Sequence, residues 1–327
     1  MNDDLPEMPL SHPGRRAADS GWERETLEKL LFASLREQRS ARRWRLFLRL
    51  LWLAVIGAAF WYIFNVQSGT VAISTPHTAV IEIRGEIASG VEASAENVVS
   101  SLKTAFEDKG ARAIVLLIDS PGGSPVQAGI INDEITRLKA LHGKKVYAVV
   151  EETCASAAYY IAAAADGIYV DKASLVGSIG VLMDGFGFTG LMDKLGIERR
   201  LMTAGANKAL LDPFSPQDER QTAYIQTMLT EIHAQFIDAV KKGRGDRLKE
   251  TPETFSGLVW SGQQAVEQGL ADGLGSLDSV ARDVVKAEEI VDYTQRENLG
   301  MRLARQFGAS VGRGIFFAAR SEGVQLK

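Results

Sequence analysis

Ala113 to Ile118 is an uninterrupted apolar run, AIVLLI, that passes directly into Asp119-Ser-Pro-Gly-Gly123. A strand with one wet face would alternate. A run of strand length without alternation fits a strand buried on both sides, as in a parallel sheet covered by helices. The flanking sequence agrees. Thr78 to Arg84 reads as a strand, and Ser94 to Asp108 spaces Val98, Val99, Leu102, Ala105 and Phe106 at a helical period. Past the glycines a helix is expected from Pro125 to Leu141. Ser124 is its N-cap, Pro125 its N1 proline, Gln127 the capping-box partner and Gly143 the stop. Val146 to Val150 then reads as strand, Ala155 to Ala165 as a small-residue helix, and Gly167 to Val170 as strand. A long helix from about Pro216 to Lys242 follows, and a further helix is capped by Ser261 with Gln264. This alternation predicts an α/β domain around a mainly parallel sheet.

Upstream the chain changes character. Leu50 to Val66 contains no charged residue, and Leu46, Phe47 and Leu48 extend the run if Arg49 snorkels. About 20 apolar residues at ~1.5 Å each suffice for one membrane crossing. Trp44, Trp52, Trp61 and Tyr62 suit the interfaces. Arg36, Arg39, Arg42, Arg43, Arg45 and Arg49 precede the apolar core, while Asn65 to His77 carries no Lys or Arg. The positive-inside rule therefore puts the N-terminus in the cytoplasm and the α/β part across the membrane. A cleaved signal peptide fits less well, because the apolar stretch is long and begins far into the chain. The expected organisation is a cytoplasmic segment 1–45, polar and disordered at first and then helical from a box at Ser20 and Glu23. A transmembrane helix 46–66, a linker 67–77, an exported domain 78–295 and a basic tail 296–327 follow. The tail's arginines and phenylalanines between Leu299 and Arg320 would suit anionic lipid, though its glycines weaken a helix there.

Several chemistries are poorly served. The net charge of −4 gives no basic footprint for nucleic acid. The single cysteine, Cys154, cannot form an internal disulfide and reads as a buried small hydrophobe. The four histidines, His12, His77, His142 and His233, each have a structural reading, so a Ser-His-Asp triad or a zinc site lacks its parts.

Three segments could carry chemistry instead. Asp119 to Gly123 ends a strand and opens a helix, and its glycines free backbone N–H groups for an anion or an oxyanion. Ser156, in Cys-Ala-Ser-Ala-Ala, falls at the first turn of the next helix; there it is either a helix cap or a nucleophile favoured by the free N–H groups. Lys208 stands among small and apolar residues in Thr203-Ala-Gly-Ala-Asn-Lys-Ala-Leu-Leu. It is a surface lysine or, if desolvated, a general base. Together these pieces read as a Ser–Lys dyad with a Gly-Gly oxyanion hole.

At this point the sequence resembles the signal peptide peptidase A family, within the ClpP/crotonase-like fold. The resemblance rests on IDSPGGS (Ile118 to Ser124), ASAAYYIAAAAD (Ala155 to Asp166), VGSIGV (Val176 to Val181), TAGANKALLDPFSP (Thr203 to Pro216) and VWSGQQAVEQGLADGLG (Val259 to Gly275). It implies a layered fold of repeated ββα units behind a single transmembrane helix. It also implies Ser156 as nucleophile, Lys208 as base, the N–H groups of Gly123 and Ala157 as oxyanion donors, and Ser178 as the hydroxyl that orients the lysine. The family usually has two glycines after its nucleophile. Here Ala157 and Ala158 replace them, which keeps the donor and is expected to narrow the groove.

One such set of motifs corresponds to the short form of the family, whose members build rings or domes with Ser and Lys from adjacent subunits. The implied activity is a membrane-anchored serine endopeptidase of the bacterial inner membrane, with its catalytic domain outside the cytoplasm. Its substrates would be signal-peptide remnants and other membrane-associated peptides, its partners lipid and further copies of itself, with no metal or cofactor and no nucleic acid. An inert scaffold of the same fold, a protease of stomatin-like membrane proteins, and an acyl-CoA enzyme are the alternatives.

Overall fold

The structure, a computed structural model, describes residues 43–58 and 75–296. The chain divides into two units, Met1–Val71 and Ala72–Lys327. In the first, residues 43–58 form helix α1, whose side chains are all exposed, with Trp44, Phe47, Leu50, Trp52, Leu53 and Ile56 among them. The expected crossing at 46–66 runs past the described residues. Among those residues no helix is long and apolar enough to cross a membrane. The readings for residues 1–42, for most of the linker and for the tail beyond Arg296 also lie outside the described residues.

The second unit is α/β, as expected. It runs β1 (His77–Arg84), α2 (Ala95–Glu107), β2 (Ala111–Ser120), α3 (Pro125–His142), β3 (Lys145–Ala155), α4 (Ala157–Ala162), β4 (Gly167–Val170), β5 (Leu175–Gly177) and α5 (Thr189–Leu195). After these come α6 (Glu219–Arg244), β6 (Val259–Ser261), α7 (Gly262–Glu267), β7 (Gly273–Leu274) and β8 (Ile290–Asp292). The sheet order is β6-β5-β3-β2-β1-β8, with β4 also beside β3 and β7 beside β4. Every pairing is parallel except β5 with β6. β3 forks: its first half pairs with β4 and its last residues, Thr153 to Ala155, with β5.

The apolar run of β2 is explained by two covered faces. Ile114, Leu116 and Ile118 join Ile81 and Ile83 in the large core beneath α2, α3 and α4. Val115 and Leu117 point the other way, into a smaller cluster with Val80, Val149 and Val280. Each such fully buried side chain stabilises the fold by ~1.5–3 kcal/mol relative to exposure.

Ser124 caps α3 by accepting the Gln127 N–H at 3.4 Å, with Pro125 in the first turn and Gly143 left-handed at the end. Gln127 does not close a capping box. Its Oε1 accepts the Ala95 N–H at 2.8 Å, so it serves the first turn of α2 instead. Ser261 and Gln264 do form the expected reciprocal box. α4 is shorter than expected at both ends: β3 continues through Ala155 before the chain turns, and the helix stops at Ala162.

His77 is a further correction, since it belongs to β1 and is fully buried, not part of a linker. Its Nε2 lies 3.0 Å from the Tyr293 hydroxyl, which donates to Asp108 at 2.6 Å. The α6 C-terminus is tied down by Arg244. Its guanidinium is 0% exposed, forks onto both Asp272 oxygens at 2.8 and 2.9 Å, and donates to Gly269 O. Asp272 also accepts the Ile168 N–H at 2.7 Å, which links helix to sheet.

Candidate active site

Three neighbouring strands end together. β2 ends at Ser120 and leads into Gly122-Gly123, β3 ends at Ala155 before Ser156, and β5 ends at Gly177 before Ser178. Ala155 pairs with Gly177, and the Ser156 N–H donates to Gly177 O at 2.9 Å.

Ser156 sits at φ 53°, ψ −124°, a conformation that L residues avoid. Such strain persists only where the surroundings over-determine it, and it concentrates at functional sites. The turn is sharp, from strand straight into helix, the arrangement that presents a nucleophile at the head of a helix. Ser156 is half-buried, and its side chain makes no capping hydrogen bond. That removes the helix-cap reading.

Gly122 and Gly123 have φ of 106° and 145°. A methyl on Gly122 would lie 2.7 Å from the Ser156 Cβ and 3.0 Å from the Ala157 N, so the loop rests directly on the serine turn. A methyl on Gly123 would lie 2.2 Å from Ile87 O. Ile87 donates to Gly122 O and accepts the Ser124 N–H, at 2.9 and 2.7 Å, which leaves the Gly123 N–H directed away from it. Among the described residues neither the Gly123 nor the Ala157 N–H has a protein acceptor. Donors without a protein acceptor in the serine turn, and in the glycine loop packed on it, can hold developing negative charge.

One support of the loop carries little signal in the sequence. Ser120 is fully buried, and its Oγ accepts the Gly122 N–H at 3.1 Å, so it holds the glycine loop from below. The only signal for it was a turn-forming serine just before Pro-Gly-Gly.

Ala157 and Ala158 are both buried in the main core. Their methyls pack inward, into that core. Cys154 is buried as expected, and burial pushes its thiol far up. His233 is structural: its Nε2 faces Ile179 O at 3.0 Å. Ser178 also carries a positive φ, 49°, and its N–H donates to Leu258 O at 2.8 Å.

Lys208 is not brought to this cluster by any hydrogen bond or ion pair among the described residues. It is exposed on a turn closed by its own N–H donating to Gly205 O at 3.1 Å. The surrounding arm has no core of its own. α5 buries none of its residues, and Phe186 and Met202 are 79% and 93% exposed.

The model of peptidase family S49 matches residues 139–291, which include Ser156, Ser178 and Lys208. A candidate protease of Methanocaldococcus jannaschii is 33% identical over 215 residues, 64% of this chain and 68% of that protein. A protein of Enterococcus faecium named for signal peptide peptidase SppA is 31% identical over 199 residues, 61% of this chain and 58% of its own length. A Brucella melitensis protein named as the Na(+)/H(+) antiporter NhaA is 40% identical over 265 residues, 75% of this chain. The chain spans only 36% of that protein's length. On the family model and these matches, the chain belongs to peptidase family S49, alongside the signal peptide peptidase A proteins that its motifs resemble.

Proposed function

We propose that this chain is a membrane-anchored serine endopeptidase whose nucleophile is Ser156 and whose general base is Lys208. The observation that carries the reading is the strained Ser156 turn, whose hydroxyl makes no hydrogen bond among the described residues, with the Gly122 backbone packed on it and the Gly123 and Ala157 N–H groups without a protein acceptor there. The neutral Lys208 amine takes the Ser156 proton as Oγ attacks the peptide carbonyl. The carbonyl oxygen, now negative, is held by the Gly123 and Ala157 N–H groups. The lysine ammonium then gives its proton to the leaving amine. Neutral again, it takes a proton from the water that hydrolyses the acyl-enzyme. Ser178, one residue past the partner of Ala155, orients the amine.

Lys208 reaches a serine on a neighbouring copy. Two observations support this: the amine is exposed within its own chain, and the arm bearing it presents large apolar side chains to solvent. Docking against a second copy would bury those side chains and strip water from the amine, which a lysine base requires. The fold on this reading is the ClpP/crotonase-like one, assembled as a ring or dome.

The apolar stretch Leu50 to Val66 anchors the protein in the bacterial inner membrane, with the arginine run in the cytoplasm and residues 78–295 outside it. The apolar faces exposed all around α1 support an anchor. Peptides left at the membrane surface, signal-peptide remnants among them, are the substrates.

A fluorophosphonate probe on the detergent-solubilised protein tests the chemistry. Label is expected on Ser156 and is expected to vanish in Lys208→Ala. No label on an assembled, folded protein would overturn the reading.

A further inference from the structure

We propose that Asp212 is a positioning residue for Lys208, latching the lysine-bearing turn to Arg199. The inference rests on the Ser–Lys reading above and adds a residue that acts through the base. Lys208 lies at the start of a string of tight turns. Lys208 donates its backbone N–H to Gly205 O, Leu210 to Asn207 O, Asp212 to Ala209 O and Ser215 to Asp212 O, at 3.1 to 3.2 Å. Nothing in this string belongs to a helix or strand.

Two features show that the string is held and not merely coiled. Leu211 has a φ of 60°, a left-handed conformation that a bulky side chain does not keep unless its surroundings enforce it. The next residue supplies the enforcement. The Asp212 side chain is only 10% exposed in an otherwise open arm. One of its oxygens accepts the Phe214 N–H at 3.4 Å; the other accepts the Ser215 hydroxyl at 2.5 Å and pairs with the Arg199 guanidinium.

Arg199 is fixed in turn. Its guanidinium lies 5.5 Å above the Phe214 ring, whose other contact is the stacked Phe188 ring at 5.3 Å. Phe188 also donates its N–H to Pro213 O at 2.7 Å. The carboxylate therefore closes a loop of contacts joining the N-terminus of α5, the segment at Arg199 and the lysine turn. An arm with no core gets its shape from this cluster, and Lys208 gets its place from the arm. A base displaced by about 1 Å loses on the order of 10²-fold in rate.

The test uses the full chain in detergent, with Asp212→Asn, Asp212→Glu and Lys208→Ala measured beside the wild type. Asp212→Asn is expected to lower kcat on a peptide substrate by about 10²-fold, with KM within about twofold. The rate of fluorophosphonate labelling at Ser156 should fall by the same factor, and the main unfolding transition should stay in place. Asp212→Glu, which keeps the charge, should recover a large part of the lost rate. If Asp212→Asn does not assemble, Arg199→Gln decides on the same criteria.

Wild-type kcat in Asp212→Asn beside an inactive Lys208→Ala would overturn the latch and leave the dyad standing. So would a loss carried by KM alone, or a Glu variant no better than Asn. Full labelling in Lys208→Ala would instead overturn the Ser–Lys reading on which the latch depends.

Discussion

The Ser156 turn and the Lys208 turn solve opposite problems. Around Ser156, Cys154, Ala155, Ala157 and Ala158 are buried, β5 pairs on one side, and the glycine loop presses from the other. Strain there is held by the core, because Cys154, Ala157 and Ala158 are part of it. Around Lys208 the chain is exposed, held by turns and by the Asp212 cluster. The difference teaches that the two halves of the proposed dyad are prepared in different ways. The proposed nucleophile and oxyanion donors are fixed on the core of one chain, whereas the proposed base sits on an exposed arm that the core does not hold.

The largest effect expected is loss of turnover. Ser156→Ala and Lys208→Ala should each reduce peptide hydrolysis by at least about 10³-fold, measured on assembled protein. A Ser156→Gly variant sharpens the contrast between the regions. Glycine accepts the observed φ and ψ, so this inactive variant should be more stable than wild type by about 1 kcal/mol in a denaturant titration. An equal or lower stability would mean that the serine turn is not strained.

Gly123→Ala should come next. The new methyl meets Ile87 O and displaces the loop, and loss of one oxyanion donor typically costs about 10²–10³-fold in kcat. The same substitution at Gly205, on the lysine side, meets nothing closer than 3.9 Å and strains only the local turn. Full activity in Gly123→Ala would remove the loop from the mechanism.

Away from the site, Arg244→Ala removes the fully buried partner of Asp272 and leaves that carboxylate to Arg247, at 3.1 Å. We expect a destabilisation of about 2–3 kcal/mol by chemical unfolding, below the full cost of an unpaired buried charge. Burial alone would raise the Asp272 carboxyl, but the Arg244 hydrogen bonds and charge, with the Ile168 N–H, bring it below the usual carboxylate range. Its folded value lies below its unfolded one. The stability it contributes is therefore complete above the ordinary carboxylate value of about 3.9 and is lost as pH falls through the lower folded value. Asp272→Asn should flatten that acid limb; an unchanged limb would assign acid unfolding to other groups.

The smallest effect expected is at Ala157. Ala157→Gly removes a core methyl at a helix start, so about 0.5–1 kcal/mol of stability should be lost with substrate preference unchanged. A broadened preference would show that the methyl faces the groove after all.

Much of the domain was legible because its elements carry local signatures. The apolar run 113–118, the strands near 146–150 and 167–170, and the caps at Ser124, Gly143 and Ser261 all appear where the periodicity and capping residues place them. What was not legible depends on distant partners. The second half of β3 reads Glu-Glu-Thr-Cys-Ala, with no strand-like pattern, and is a strand because β5 lies beside it. His77 looked like linker and is buried because Tyr293, 216 residues away, takes up its ring nitrogen. At the site, Ser156 and Gly123 could be marked from residue type and spacing. The positive φ of Ser156 and the support from Ser120 arise only once three strands end side by side. Asp212 stands inside the TAGANKALLDPFSP string, but its role is not legible there, because its partner Arg199 lies 13 residues away.

The most direct test of a dyad divided between chains is complementation. Ser156→Ala and Lys208→Ala full-length chains are coexpressed, the mixed assembly is purified, and peptide hydrolysis is compared with wild type and with each variant alone. A base donated head-to-tail between copies predicts recovery to about a quarter of wild-type activity for random mixing in a closed ring. Mixed assemblies no more active than either variant alone, beside an active wild type, would contradict the division of the site between copies.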